Sequence, residues 1–242
     1  MENKNAINFL LYSYFGITLD SSADEVLCAA IDRAYRDASS HVLSIKDEDT
    51  KLKKKDDAAI EIRGQLQELE KGSKLYDTWH GTLCESLCQK YEGIEYGENR
   101  EFTYGIAQKW VNMTMKYLYL LNAVFEGNKE DGKKSDFPKT YGWIAAEYST
   151  DLHAPIDSYI LSAAAGEKEV EADILEADND RWSKIREEKP YQTYQKELRG
   201  KMKPGESVIE WEGPAWIKQA KIVKEKNKED LENRYPDFFN ES

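Results

Sequence analysis

The chain has 242 residues, 40% of them hydrophobic and 12% aromatic (15 Tyr, 6 Trp, 7 Phe), enough to bury a sizeable core and to exclude wholesale disorder. Its net charge of −12 excludes broad electrostatic adhesion to nucleic acid or anionic membrane, because such binding draws on counterions released by basic surfaces, but not a local basic groove. No apolar run approaches the roughly 18 residues that cross a bilayer, and the N-terminus, MENKNAINFLLYSYFGI, lacks the basic start and cleavage site of a signal peptide. With three cysteines, an odd number, the expectation is a cytoplasmic protein without a disulfide framework, a membrane partner or a cofactor.

In chain order, Ala6–Phe15 reads as a short apolar helix ended by Gly16. Ser22-Ala-Asp-Glu25 has the spacing of a capping box, in which a hydroxyl and a carboxylate satisfy the free N–H groups of a helix start. The helix behind it places Val26, Leu27, Ala30, Ile31, Ala34 and Tyr35 on one buried face. Lys46–Asp57 is a charged run read as a solvated loop or helix end, followed by an amphipathic helix over Ala58–Glu70 that Lys71-Gly-Ser73 stops. A third helix, Lys74–Tyr91, carries Trp79, Leu83 and Leu87 beside a ladder of Tyr76, His80, Cys84 and Cys88. His and Cys are zinc ligands, but residues eight apart on a helix lie about 12 Å apart, too far for one ion, so the ladder reads as core packing.

Phe102–Leu121 is the long apolar helix around which the rest is organised, with Lys109 just inside a start marked by Gly105. Glu126–Pro138 is a polar, loop-like insertion and Gly142–Tyr148 a short helix. His153–Leu161 turns through Pro155 into Asp157, which is placed to cap a further helix. Arg100–Leu161 is nearly neutral, with 7 Lys/Arg against 8 Asp/Glu, whereas Glu167–Asp180 holds 7 acids and a single Lys. Tyr191–Arg199 reads as helix, Lys203-Pro-Gly205 as a turn, and Ser207–Trp211 as the one strand signal; Pro214 suits the first turn of a last, charged helix. The fold expected is mainly α: a single helical domain over 1–242 with at most a minor strand near 207–211. Its parts are N-terminal helices (1–91), a central helix and cleft (102–165), and an acidic C-terminal region (166–242).

Two segments carry the chemistry. A glycine-led helix start can point N–H groups at a phosphate, and Lys109 can add a charge or, when desolvated, act as an amine nucleophile favoured by the helix dipole. Asp157 can cap its helix, or serve as a general base or as partner to a cationic transition state. Gly105-Ile-Ala-Gln-Lys109-Trp-Val-Asn112 and Pro155-Ile-Asp157-Ser-Tyr-Ile160 together resemble the hairpin and aspartate segments of the helix-hairpin-helix DNA glycosylases. That resemblance implies Lys109 as Schiff-base nucleophile and Asp157 as catalytic carboxylate. It also implies Gly105, Ala107, Gln108, Asn112, Lys116 and His153 as residues around DNA or a nucleotide. The chain departs from the family pattern at Ala107, where a glycine is expected, at Trp110-Val111 for Thr-Ala, and at Tyr159 for His. The 48 residues from Lys109 to Asp157 also exceed the family spacing, and no four-cysteine iron–sulfur loop is present. The other function compatible with the sequence is an acidic helical interaction module, a partner inhibitor or DNA mimic without catalysis that covers a basic protein surface.

Overall fold

The computed structural model describes residues 3–72, 75–98, 100–128, 135–176 and 182–234. Ser73 of the expected helix stop, part of the Glu126–Pro138 insertion, part of the acidic 167–180 stretch and the aromatic tail from 235 onward lie outside the described residues. The protein is all-α. Its helices are α1 (Asn3–Phe15), α2 (Ala23–Ser39), α3 (Glu48–Glu70), α4 (Tyr76–Lys90), α5 (Tyr104–Gly127), α6 (Phe137–Tyr141), α7 (Trp143–Tyr148), α8 (Ser158–Lys168), α9 (Glu188–Gly200) and α10 (Val208–Arg234). Single 3₁₀ turns stand at Ala172–Leu175 and Trp182–Lys184. Among the described residues the one β-type pairing is an isolated antiparallel bridge, Ile45 to Tyr96. None of the described helices is long and apolar enough to cross a membrane.

α5 is the axis of the core. Ile106, Trp110, Met115, Leu118 and Leu121 are buried against the neighbouring helices, chiefly α2 and α4, and the Trp110 indole donates to the Ile31 carbonyl of α2 at 3.0 Å. The capping box at Ser22 and Glu25 forms as expected and starts α2, whose expected face is buried in full. Asp136 then accepts the Ala23 N–H at 2.7 Å, tying the approach to α6 onto the head of α2. Trp79, Leu83, Leu87 and Cys84 of α4 are all fully buried, in keeping with a packing ladder, and Cys84 Sγ rests 3.7 Å from the His80 ring nitrogens.

Two expectations fail for local reasons. Of the two readings of the charged run Lys46–Asp57, the loop fails and the helix end holds: Asp47 accepts the Thr50 N–H and opens α3 ten residues before the amphipathic pattern begins. Ser207–Trp211 is not a strand. Ser207 Oγ accepts the Glu210 N–H while the Glu210 carboxylate takes the Ser207 N–H, a second capping box that starts α10 at Val208. Pro214 therefore lies inside α10 rather than at its first turn. Lacking an N–H, it leaves the helix without one backbone bond there.

Candidate functional site

Along α5 most side chains are buried, but Lys109, Met113, Lys116 and Leu120 form a half-open stripe. Their i, i+4, i+7, i+11 spacing puts them on one helix face. This face floors a cleft of about 770 Å³. Its walls are Tyr14 of α1, the C-terminal part of α2, the start of α8, Trp182, and Glu212 and Trp216 of α10.

Lys109 and Asp157 meet at one end of the cleft. Lys109 Nζ lies 3.3 Å from Asp157 Oδ2 and 4.4 Å above the centre of the Trp182 ring, with the lysine and aspartate side chains only 12% and 13% exposed. Asp157 is fully engaged: Oδ1 accepts the Ile160 N–H at 3.0 Å and so caps α8, and Oδ2 also accepts the Trp216 indole N–H at 3.2 Å. Tyr159 packs edge-on against Trp216 at 5.2 Å between ring centres. An amine, a carboxylate and three aromatic rings thus converge where water is largely displaced, which strengthens every electrostatic interaction there.

One turn before Trp216 on α10, Glu212 is 1% exposed and ion-paired with Lys116. Burial raises its carboxyl above the usual range, the Asp157 charge adding to this and Lys116 pulling it back. At the far end Arg33 pairs with Asp37 at 2.7 Å, Tyr117 donates to the same carboxylate, and the Arg33 guanidinium stacks 4.0 Å over Tyr14. Arg36 and His41 are exposed on this rim.

Of the residues singled out in the sequence, Lys109, Lys116 and Asp157 reach the cleft. The phosphate-binding roles drawn for Gly105, Ala107, Gln108, Asn112 and His153 are corrected by burial. α5 starts before Gly105, capped by Thr103, and the N–H groups of Ile106 and Ala107 bond back to Thr103. The Gly105 N–H donates to the Ile185 carbonyl at 2.9 Å, and a Cβ at Gly105 would stand 1.9 Å from the Trp182 carbonyl oxygen. The glycine is there for close backbone packing, which fixes Trp182 beneath Lys109, and not to cradle an anion.

Gln108, Asn112 and His153 belong instead to an interior polar network that holds the extended segment before Asp157. Gln108 bonds both the N–H and the carbonyl of Ile156, at 3.2 and 3.1 Å. Gln195 of α9 does the same for Ala154, at 3.2 and 2.8 Å. His153 Nε2 lies 2.8 Å from Asp77 Oδ1 and Nδ1 lies 3.0 Å from the Tyr191 hydroxyl. Since a carboxylate only accepts, the bonding pattern assigns the proton to Nε2 and makes Tyr191 the donor to Nδ1. The Tyr191 oxygen in turn accepts from the amides of Asn112 at 2.7 Å and Gln195 at 3.1 Å. Burial keeps His153 neutral by lowering its pKa against the pull of Asp77, and lowers that of His80, stacked on Tyr191 at 5.2 Å, much further.

Sequence reasoning missed Trp182, Trp216, Glu212 and Arg36. The signal for Glu212 and Trp216 was the capping box at Ser207, which sets the phase of α10; that for Trp182 was the need of Gly105 for a close neighbour. No family model, curated protein or solved structure matches the chain.

Proposed function

We propose that the chain is a DNA- or nucleotide-binding protein of glycosylase-like chemistry, with Lys109 as the amine nucleophile and Asp157 as the catalytic carboxylate. The observation that carries this reading is the Lys109–Asp157 pair, 3.3 Å apart and desolvated between Trp182 and Trp216 at the end of an open cleft. A flat base stacks on such rings, and a sugar carbon comes within reach of the amine.

In this reading the Lys109 ammonium passes a proton to Asp157, and the freed amine attacks the C1′ aldehyde of an abasic sugar. Asp157 returns the proton to the carbinolamine hydroxyl, which leaves as water, and an imine links Lys109 to the sugar. The corrected roles of Gly105 and Ala107 remove the hairpin contact to phosphate from the proposal, so strand contacts fall to the cleft's own cations. Cytoplasmic location belongs to the same proposal and is supported by the unpaired Cys28, Cys84 and Cys88.

The test is borohydride trapping on DNA with an abasic site, single-stranded and duplex. Wild type yields a covalent adduct, and Lys109→Arg, which keeps the cleft charge but forms no imine, yields none. The second reading, an interaction module within this acidic chain, is favoured by one observation: α1 presents Phe9, Leu10 and Tyr12 outward at 68%, 66% and 67% exposure. Absence of both an adduct and nucleic-acid binding in wild type would move the assignment to that module.

A further inference from the structure

We infer that the cleft takes a single strand of nucleic acid laid along α5, with Arg36 holding one backbone phosphate about three nucleotides from the sugar seated at Lys109. The inference rests on the reading above and names the form of its substrate.

Length is the first argument. The stripe runs from Lys109 to Leu120, and at 1.5 Å per residue that is about 16 Å of helix. Stacked nucleotides advance about 3.4 Å per strand, so the floor accommodates about four and a lone nucleotide would occupy only one end. Aromatic rings stand at both ends: Trp182, Trp216 and Tyr159 beside Lys109, and the exposed Tyr14 at the other. Separate stacking platforms of this kind hold successive bases of a strand without selecting among them.

Charge is the second. The cleft is lined by four basic side chains, Arg33, Arg36, Lys109 and Lys116, and three carboxylates, Asp37, Asp157 and Glu212, a local formal balance of +1 within a chain of net −12. Three of the cations are matched in ion pairs: Arg33 with Asp37, Lys109 with Asp157, Lys116 with Glu212. Among the described residues no carboxylate pairs with Arg36, whose side chain is exposed on the rim. A guanidinium forks onto a phosphate through two parallel hydrogen bonds. Duplex DNA would bring two phosphate backbones against the acidic exterior for this one unmatched cation, whereas a single strand brings one.

Register is the third. Trp110 meets Ile31 and Tyr117 meets Asp37, so α2 and α5 run side by side in the same direction. Arg36 is therefore level with the Lys116–Tyr117 turn, about 10 Å along α5 from Lys109, which equals about three stacked steps.

Fluorescence anisotropy decides the matter, with a short labelled single strand, the same sequence as a hairpin duplex, and unlabelled thymidine monophosphate as competitor. The single strand should bind at least about tenfold more tightly than either, since each further stacked base contributes at least several-fold. Arg36→Ala should weaken strand binding and lower the slope of log K against log salt by about 0.7, the increment of one single-strand phosphate contact, and Arg36→Lys should restore it. Monophosphate binding as tight as the strand, or a salt slope indifferent to Arg36→Ala, would overturn the inference. Lys109 trapping with no Arg36 dependence overturns it and leaves the nucleophile standing. Strand binding that depends on Arg36 without any Lys109 adduct supports it and refutes the imine chemistry. No binding of any form refutes both.

Discussion

Acidification should unlock the segment that presents Asp157, because two histidines that hold it are buried as neutral rings. His80 and His153 each have an ordinary pKa of 6.5 in the unfolded chain and a lowered one in the fold, burial being the main cause for both. A group that binds its proton less readily in the fold costs no stability above pH 6.5, and costs progressively more as pH falls below it, since only the unfolded chain gains the proton. At about one pH unit below the unfolded value each such histidine withdraws about 1.4 kcal/mol. His80 contributes the full amount. His153 contributes less, because the Asp77 carboxylate at 2.8 Å favours the imidazolium. The two histidines together therefore withdraw between about 1.4 and 2.8 kcal/mol between about pH 7.5 and 5.5, a considerable part of the 5–15 kcal/mol that a domain of this kind commands. At lower pH Asp77 adds to the decline. His153 and Arg199 hold its carboxyl below the usual range, so its contribution is present above the unfolded carboxylate pKa and fades as pH falls through the folded one.

Urea unfolding followed by circular dichroism at a series of pH values measures this directly. His80→Leu should reduce the pH slope by an amount that grows to about one proton near pH 5.5, whatever the substitution does to stability at neutral pH. A midpoint flat between pH 7.5 and 5.5, or a pH slope unchanged by His80→Leu, would refute the reasoning.

Further outcomes follow from single contacts. Gly105→Ala places a Cβ 1.9 Å from the Trp182 carbonyl oxygen and should cost about 3 kcal/mol, with a shift in tryptophan emission as Trp182 is displaced. Ser207→Ala removes the capping box of α10 and should cost about 0.5–2 kcal/mol with a loss of helical signal; unchanged helicity would argue against the cap. Asp157→Asn keeps an N-cap oxygen while removing the charge, so it should lower adduct formation at Lys109 without the full loss of stability expected for Asp157→Ala. If both variants lose stability equally, the charge of Asp157 and not its cap carries its contribution to stability.

Much of the scaffold was legible in the sequence because its signals are local. Ser22 and Glu25 announce α2, the spacing of Val26 to Tyr35 announces its buried face, and Asp157 after Pro155 announces the head of α8. What escaped was set by competition between local signals. Ser207-Val-Ile-Glu210 carries β-branched residues and a capping box at once, and the box prevailed because the helix behind it buries Val208, Ile209, Trp211 and Ala215. Asp47 opened a helix within a run whose composition argued for solvent. In the candidate site, the Lys109–Asp157 partnership could be anticipated from residue type, but the fate of Gly105 could not. Whether a glycine at a helix start faces a phosphate or a neighbouring backbone depends on what packs against it, and that neighbour is Trp182, 77 positions along the chain. Gln108 and Asn112 likewise looked available for a ligand until the Ile156 and Ala154 backbone took their amides.

The most direct test of the account is to reduce wild-type protein with borohydride in the presence of an abasic single strand, digest it, and map the adduct by mass spectrometry. A modified peptide bearing the reduced sugar on Lys109 is expected, absent from Lys109→Arg and diminished in Asp157→Asn. A label spread over exposed lysines such as Lys224 and Lys226, or none at all, would contradict it.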